Sequence, residues 1–344
     1  MNKRYRPIKL EDLAKKLKVS KVTISKALRD HPDISVETTA KVKDLAEKLG
    51  YMPNVMAKNL SARKSNTIGL VIPKIAHIFF ASIIESIYNT AFENNYEIVL
   101  TVSQEKSERE RKHILSLLSM RVDGLLVSIT QETKDIEIFE RASKSGIPLV
   151  FIDRTPDMPD ISSVTVDDEG GAFAAVDYAI KKGYTKIAHI GGPKNINIGR
   201  KRYDGFLRAM KTNKIPINPN LVVEGGFGEE DGYNGFNKIY SKGIIPEFIF
   251  ASTYPIALGI YSAADEHGLR VPEDIEVTCF GKNNFSTISP SVFNFVDQPT
   301  QELGANAVNL MLEQINNPGL PPKNIVLNTE LIIRNSNTKN GIAG

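Results

Sequence analysis

The stretch LEDLAKKLKVSKVTISKALRD, residues 10–30, decides the fold of the amino-terminal part of the chain. Apolar residues recur there at helical spacing up to Leu17, and Ser20 offers a side-chain oxygen that can cap a second helix from Lys21 to Leu28. Two helices joined by a tight turn form a helix-turn-helix, whose second helix enters the major groove of DNA. The stretch therefore predicts a DNA-binding head, although an ordinary three-helix bundle can show the same pattern.

A third helix is predicted directly after this pair. Ser35 is its expected N-cap, apolar residues recur through Leu49, and Gly50 fits a helix stop. Pro53 then disfavours any continuation of the helix. A segment of about nine residues, 54–62, follows, and it is shorter than an isolated helix needs to be stable in water.

From Ile68 onward, short apolar runs alternate with amphipathic stretches long enough for crossover helices. This alternation predicts an α/β fold with doubly wound parallel sheets, and the number of strands favours two sheets over one. The predicted strands are 68–72, 98–102, 124–128, 148–152, 187–191, 248–251, 275–280 and 293–296. The predicted crossover helices include 81–94, 107–120, 171–182, 202–211 and 255–267.

Charge is distributed unevenly along the chain. Residues 1–64 hold 16 Lys/Arg and 7 Asp/Glu, a net charge of +9, whereas the rest carries 27 basic and 33 acidic residues, a net charge of −6. A basic head on a mildly acidic body is typical of a nucleic-acid-binding module joined to a second function. A solvated basic tail would be the alternative reading of charge alone.

Several classes of protein are disfavoured by composition. We expect no membrane span, because no apolar run reaches the length that one requires, and no secretory signal, because no apolar stretch follows the basic start. The single cysteine, Cys279, fits a reducing cytoplasm. Five scattered histidines predict neither a metal nor a cofactor, and no nucleophile or phosphate-binding motif predicts an enzyme. The acidic run 167–169 fits a helix start better than a metal site.

Two motifs in the first 73 residues resemble the lactose repressor family of bacterial regulators. The order V-S-x-x-T-[IV]-S begins at Val19, and G-Y-x-P-N-x-x-A-x-x-L begins at Gly50. The resemblance runs from residue 8 to residue 73 nearly position by position, and the remainder follows the family's core. It implies a head over 1–52, a hinge helix and linker over 53–66, and a core of two lobes like those of periplasmic sugar-binding proteins. The first lobe would comprise 67–166 with 299–327, and the second would comprise 167–298 with 328–338.

The expected DNA contacts fall in two places. The start of the second helix should bring side chains to base edges or phosphates: Ser20, Lys21, Val22, Thr23, Ser25 and Lys26. By resemblance, the hinge folds only on DNA, with Asn54 as its cap, Ala57 and Leu60 on one face, and Leu60 wedged into the minor groove. The alternative for Leu60 is plain packing against the core.

The resemblance also implies an effector site between the lobes. Family positions that contact effector match Phe79, Phe80, Asp153, Arg202, Phe227 and Gln298 in this chain. Phe227 would be an aromatic lid, and the Arg202 fork suits a carboxylate or vicinal hydroxyls. The alternatives are a core position for Phe80, a contact between lobes or a helix cap for Asp153, and a surface cation for Arg202.

The chain departs from the family pattern at three places. Lys18 replaces the usual turn glycine, at a small expected cost in stability. Thr253 begins Thr-Tyr where the family usually has Asn-Asp, and Lys282 replaces an acidic residue. The last change predicts a more positive cleft and an anionic sugar derivative bound by Arg202 and Lys282. A Lys282 that points to solvent, with a neutral sugar as effector, is the open alternative.

The functional prediction is a cytoplasmic, homodimeric regulator that binds palindromic double-stranded operator DNA. It is expected to repress genes of carbohydrate use and to respond to a sugar-type small molecule. The carboxyl-terminal residues 335–344 contain no leucine heptad, which favours a dimer over a tetramer. A sugar-binding protein without a DNA role is the alternative function, but it would have no use for residues 1–62.

Overall fold

The computed structural model describes residues 8–51, 64–76, 78–282 and 293–334. The chain forms two compact units, Met1–Ser65 and Asn66–Gly344, and each has its own apolar core. We call the first unit the head and the second the core. Among the described residues, no helix is both long enough and apolar enough to cross a bilayer.

Three helices form the head. They are α1 (Leu10–Leu17), α2 (Lys21–Ala27) and α3 (Val36–Leu49). Leu13, Ile24 and Val42 contribute one fully buried side chain from each helix, so the three apolar stripes close on one another. Ser20 and Ser35 cap α2 and α3 through their side-chain oxygens, as predicted, because each accepts the backbone N–H three residues on.

The turn between α1 and α2 depends on Lys18, which has a left-handed backbone with φ 55° and ψ 37°. Its N–H group caps α1 by donating to carbonyl oxygens of the last turn. A residue with a Cβ pays a conformational cost in this region that glycine does not pay. The substitution for glycine is therefore accommodated without a change of fold.

The first lobe of the core, the N-lobe, is built on a six-stranded parallel sheet with strand order β11-β5-β4-β3-β1-β2. Its strands are β1 (Thr67–Ile72), β2 (Glu97–Val102), β3 (Gly124–Val127), β4 (Leu149–Ile152), β5 (Ser162–Val166) and β11 (Asn324–Leu327). Its helices are α4 (Ile78–Glu93), α5 (Ser107–Ser119), α6 (Glu137–Lys144) and α11 (Thr300–Asn316).

The second lobe, the C-lobe, has a six-stranded sheet of order β12-β10-β9-β8-β6-β7. Its strands are β6 (Ile187–Gly191), β7 (Val222–Glu224), β8 (Phe248–Ala251), β9 (Glu276–Phe280), β10 (Asn294–Asp297) and β12 (Glu330–Ile332). Its helices are α7 (Asp168–Lys181), α8 (Asn197–Thr212), α9 (Glu229–Tyr240) and α10 (Tyr254–Glu266), with a short 3₁₀ turn at Pro219–Leu221.

Each sheet buries both faces, which explains the unbroken apolar runs of its central strands. Along β1, Leu70 packs under α4 and α11, whereas its neighbour Val71 packs under α5 and α6 on the opposite face. In the C-lobe, Phe250 packs with α7 and α8, and Ile249 packs with α9 and α10. Carboxyl ends of parallel strands therefore meet at one edge of each lobe, where a doubly wound sheet places its ligand site.

The predicted fold class is confirmed, with one exception in pairing. Strand β12 runs antiparallel to β10, so the C-lobe sheet is not wholly parallel. The chain crosses from one lobe to the other three times, between β5 and α7, between β10 and α11, and between β11 and β12. Strands β5, β7, β11 and β12 were not predicted, because they are short or half polar and carry no unbroken apolar run.

Replacing Lys18 with Gly should raise the stability of the head by up to about 1 kcal/mol, because glycine adopts a left-handed backbone without steric cost. Amide hydrogen exchange of α1 and α2 in the full chain should slow accordingly. Lys16→Gly, in the exposed part of α1, is the control and should speed exchange. Faster amide exchange of α1 and α2 in Lys18→Gly would contradict the assignment of backbone strain to Lys18.

Candidate DNA-binding surface and ligand cleft

The start of α2 presents the side chains that were predicted to reach DNA. Val22 is 64% exposed, so its apolar side chain is available for contact. Ser20 is occupied as the helix cap, because its Oγ accepts from the Thr23 N–H at 3.0 Å and lies 2.8 Å from the Thr23 hydroxyl. An exposed Val beside a capped helix start is suited to packing on a thymine methyl group.

The two lysines of this surface and its Ser25 hydroxyl already have partners within the head. Lys21 forms an ion pair with Glu11, and Lys26 forms one with Asp33. The Ser25 hydroxyl accepts a hydrogen bond from Arg29 at 3.1 Å. These pairs are solvent-exposed, so they are weak and can be exchanged for phosphate contacts at small cost. The hinge residues Asn54, Ala57 and Leu60 lie outside the described residues.

A cavity of about 380 Å³ lies between the N-lobe and the C-lobe. Its volume falls within the usual range for small-molecule sites. Eight residues that were predicted to contact effector all line it: Phe79, Phe80, Asp153, Arg202, Phe227, Thr253, Lys282 and Gln298. They come from segments up to 219 positions apart, between Phe79 and Gln298, and the fold brings them together around one space.

Arg202 is buried on the C-lobe side of the cavity, with only 2% of its surface exposed. Its guanidinium binds the Asp168 carboxylate at 2.7 Å and donates to the carbonyl oxygen of Ser252 at 2.6 Å. The same group lies 3.9 Å from the centroid of the Phe280 ring. The alternative of a surface cation is therefore wrong, and the arginine is fixed before any ligand arrives.

Asp153 lies at the end of β4 with a left-handed backbone, φ 62°. Its carboxyl is buried, and its nearest ion-pair partner is the neighbouring Arg154, whose Nε is 4.0 Å from Oδ2. Burial raises the pKa of Asp153 to about 6, against the opposing effect of Arg202 and Arg154. A buried carboxyl on a strained backbone, with no close donor other than Arg154 among the residues that the structure describes, is suited to accept a hydrogen bond from a ligand hydroxyl.

Aromatic side chains form the apolar wall of the cavity. Phe79 and Phe80 meet edge to face with ring centroids 5.3 Å apart. Phe80 also packs in the hydrophobic interior of the N-lobe. It therefore occupies the buried position considered as the alternative and lines the cavity as well. The Phe227 ring lies against Gly192, where a Cβ would come within 1.9 Å of its Cε1, and the Arg154 guanidinium lies 4.5 Å from its centroid. The Phe227 ring, predicted to be an aromatic lid, is therefore packed by protein on two sides.

The C-lobe residues at which the chain departs from the family pattern are also engaged. The Thr253 hydroxyl donates to the Phe227 carbonyl at 3.1 Å and accepts from Ile256 at the start of α10. Lys282 pairs with Asp297 at 2.7 Å. The predicted gain of positive charge from Lys282 is thus offset by a neighbouring carboxylate. Gln298 has a buried Nε2 for which the described part of the chain supplies no hydrogen-bond acceptor.

Arg154 is among the cavity residues that the sequence interpretation did not single out. Arg154 follows Asp153 directly, lines the cavity, and pairs with Glu105 at 2.9 Å. A single cation at a strand end carries no signal of burial in the sequence. Its buried partner Glu105 lies 49 positions earlier, so only the folded chain shows the pair.

The acidic run 167–169 serves the fold. Asp167 caps α7 through the Gly170 N–H, Asp168 binds Arg202, and Glu169 pairs with Arg208 at 3.1 Å. Among the described residues, no group of three or more His, Cys, Asp and Glu could hold a metal ion.

Two family models match the chain. Residues 9–54 match the model described as bacterial regulatory proteins, lacI family, and residues 65–335 match that of periplasmic binding proteins and sugar binding domain of LacI family. The chain belongs to the LacI family.

Family members of known function resemble this chain over nearly its whole length. The HTH-type transcriptional repressor PurR of Pasteurella multocida is 32% identical over 327 residues, which cover 95% of this chain and 98% of the relative. Catabolite control protein A of Priestia megaterium is 31% identical over 310 residues, which cover 90% and 93%. The crystal structure of the lac repressor dimer bound to operator and the anti-inducer ONPF matches with a TM-score of 0.82 and 25% identity, covering 96% and 98%.

The resemblance inferred from the two sequence motifs is thereby confirmed. The chain is a DNA-binding transcriptional repressor of LacI type with a core of the kind that binds small molecules. The relatives are transcription regulators and not enzymes, in agreement with the functional class predicted from the sequence.

Without ligand, the free energy of unfolding of Asp153→Asn should rise relative to that of the unsubstituted protein as pH increases from about 4 to 7. The raised pKa means that the folded state binds more protons than the unfolded state in this window, so stability falls as Asp153 ionises. Asn is neutral and tolerates a left-handed backbone, so the difference should grow by about 1–3 kcal/mol.

Urea unfolding at several pH values measures this difference. Asp160→Asn is the matched control, because Asp160 has the same left-handed backbone, φ 52°, but a solvent-exposed carboxyl. Its substitution should alter the pH dependence much less. Parallel stability curves for Asp153→Asn and the unsubstituted protein would rule out an ionisable carboxyl buried at the cleft.

Proposed function

We propose that this repressor controls genes of carbohydrate use, binds a palindromic operator as a homodimer, and is switched by a neutral, hydroxyl-rich sugar in the cleft between its lobes. The observation that carries the proposal is the cavity in which buried acceptors and donors face aromatic rings. Its proposed target is DNA, so the compartment we propose is the cytoplasm.

A sugar suits this cavity because a sugar ring has an apolar face and a rim of hydroxyls. Phe79 and Phe80 offer apolar surface, while Asp153 offers an acceptor and Gln298 a donor. The family model over residues 65–335 is described as a sugar binding domain, which supports the same ligand class.

The charges of the cleft favour a neutral ligand over an anionic one. Three of the four Lys and Arg side chains that line the cavity have a carboxylate of their own: Arg154 has Glu105, Arg202 has Asp168 and Lys282 has Asp297, and Lys74 is the fourth. An anionic group would have to displace one of these carboxylates or leave it unpaired, which is costly for the two buried pairs. Lys282 is 42% exposed and remains the position where an acidic sugar could compete.

Switching requires that the effector prefer one arrangement of the lobes. A ligand shifts a conformational equilibrium only by its difference in affinity for the two states. The cavity draws residues from both lobes, Phe79 and Asp153 from one and Arg202 and Lys282 from the other. A ligand that contacts both sides therefore has a physical means of favouring the arrangement that brings them together.

The N-lobe also supports the proposal of a homodimer. Tyr88 and Phe92 lie one turn apart on α4, and Phe92 is among the most exposed apolar side chains of the described residues. The Tyr88 hydroxyl donates to Ile98 on β2, the edge strand of the sheet, so the two aromatic residues and the sheet edge form one surface. Exposed apolar surface of this kind is typical of subunit contacts.

Purified protein should select palindromic duplexes from genomic fragments, with two protomers bound per duplex. Val22→Ala should weaken binding of a selected duplex at least fivefold, about 1 kcal/mol, because it removes an apolar base contact. Fluorescence anisotropy at one fixed salt concentration measures this loss. Val326→Ala is the control, since Val326 is also exposed but lies on β11 in the core, and its binding should stay within twofold. Equal losses in both variants would count against α2 as the recognition helix.

A thermal-shift screen of neutral sugars, uronates and sugar phosphates tests the effector class. A neutral sugar should stabilise the protein and change its affinity for the selected duplex. Lys282→Ala should leave that sugar's affinity within twofold, whereas a uronate or sugar phosphate held by Lys282 would lose tenfold or more. Lys242→Ala, an exposed lysine elsewhere on the C-lobe, is the control. Stabilisation by acidic sugars alone, with a loss in Lys282→Ala, would overturn the neutral effector.

A further inference from the structure

Arg154 lies where the two lobes meet beside the cavity. Its Nη1 donates to both carboxylate oxygens of Glu105, at 2.9 and 3.0 Å, within the N-lobe. On its other side the guanidinium lies 4.5 Å from the centroid of Phe227, which belongs to the C-lobe. A single cation therefore contacts both lobes through two different kinds of interaction.

These contacts close into a ring through a second bridge. The other contact of Glu105 is the backbone N–H of Gln131, which donates to Oε2 at 2.8 Å. The Gln131 side chain then accepts the backbone N–H of Phe227 at 3.3 Å, again across the lobe boundary. We call this set, Glu105, Arg154, Phe227 and Gln131, the interlobe ring.

Three of the four members of the interlobe ring are removed from water, and Gln131 is half-buried. Arg154 is 3% exposed, and Glu105 and Phe227 are also buried. A cation over an aromatic face is held more strongly when the pair is desolvated than when it is exposed at the surface. Removing one partner of a buried ion pair leaves the other charge uncompensated, so each member of the ring depends on the others.

Further hydrogen bonds cross the boundary beside the ring. The Asn197 side chain accepts from the Thr155 N–H and donates to the Asp153 carbonyl oxygen, both at 2.9 Å. Asp153 and Thr155 flank Arg154 in sequence, so the backbone that carries the arginine is tied to α8 of the C-lobe. Moving Arg154 would disturb these bonds as well as the ring.

The ring also opens onto the cavity. Arg154 lines the cavity, and its buried Nε finds no hydrogen-bond acceptor within the described part of the chain. We propose that Arg154 is a positioning residue that holds the two lobes together beside the ligand cleft, so that the arrangement of the lobes depends on it. The link to effector response rests on the proposed function, whereas the link between the lobes does not.

Amide hydrogen exchange of the full-length protein, without DNA or sugar, tests the proposal directly. Arg154→Met keeps much of the side-chain length and loses the charge. The amides of Phe227 and Thr155, which donate across the boundary, should exchange at least tenfold faster in this variant. Amides of the central strands β3 and β8 should stay within twofold, because the sheets inside each lobe do not involve Arg154.

Arg208→Met is a closely matched control. Arg208 lies 4.5 Å from the centroid of Phe173 and pairs with Glu169, so it makes the same two kinds of contact, but within the C-lobe and with 51% of its side chain exposed. This variant should leave the amides of Phe227 and Thr155 unchanged. Arg154→Lys retains a charge for Glu105 but has no flat group to cover the ring, and it should give an intermediate rate.

Two results would overturn the proposal. One is unchanged exchange at Phe227 and Thr155 in Arg154→Met and Arg154→Lys. The other is equal acceleration in β3, β8 and the junction, which would show that Arg154 stabilises the core as a whole. Neither result depends on identifying an effector or an operator, so a failure here is distinguishable from a failure of the proposed function.

Discussion

Burial of charge is the constraint on which the cleft depends. Arg154 and Arg202 lie out of water, and a buried cation is tolerated only when a carboxylate and further hydrogen bonds compensate it. Glu105 and Asp168 meet that need from elements distant in sequence. The resulting pairs fix the guanidinium groups in place, so the ligand meets a surface whose polar groups are already oriented.

The same constraint shapes the electrical character of the cavity. Arg154, Arg202 and Lys282 are matched by carboxylates, and Asp153 adds an acceptor that burial makes reluctant to ionise. Such a site discriminates through hydrogen bonds and shape more than through net charge. Lys282 illustrates the point, because the Asp297 carboxylate beside it offsets its positive charge.

The head and the core solve different physical problems. The head is small, so its stability rests on three apolar stripes and on two serine caps, and it tolerates one left-handed lysine in its turn. The core has enough residues to bury both faces of two sheets, and it can therefore place polar groups between its lobes. Repression that responds to a small molecule needs both, a rigid surface for bases and a cleft whose two sides can move.

Local signals in the sequence determined the head, the fold class of the core and the family. Helix caps, apolar periodicity and two dense motifs act over a few residues, so they can be read without the tertiary structure, and they led to eight residues that line one cavity. Only the tertiary structure decided which groups lie next to each other. It pairs Arg154 with Glu105 and Lys282 with Asp297. It also sets the antiparallel direction of β12 and packs the Phe227 ring against Gly192. The physical reason is that the energy of a charge or a ring depends on what lies beside it in space, and those neighbours come from distant parts of the chain.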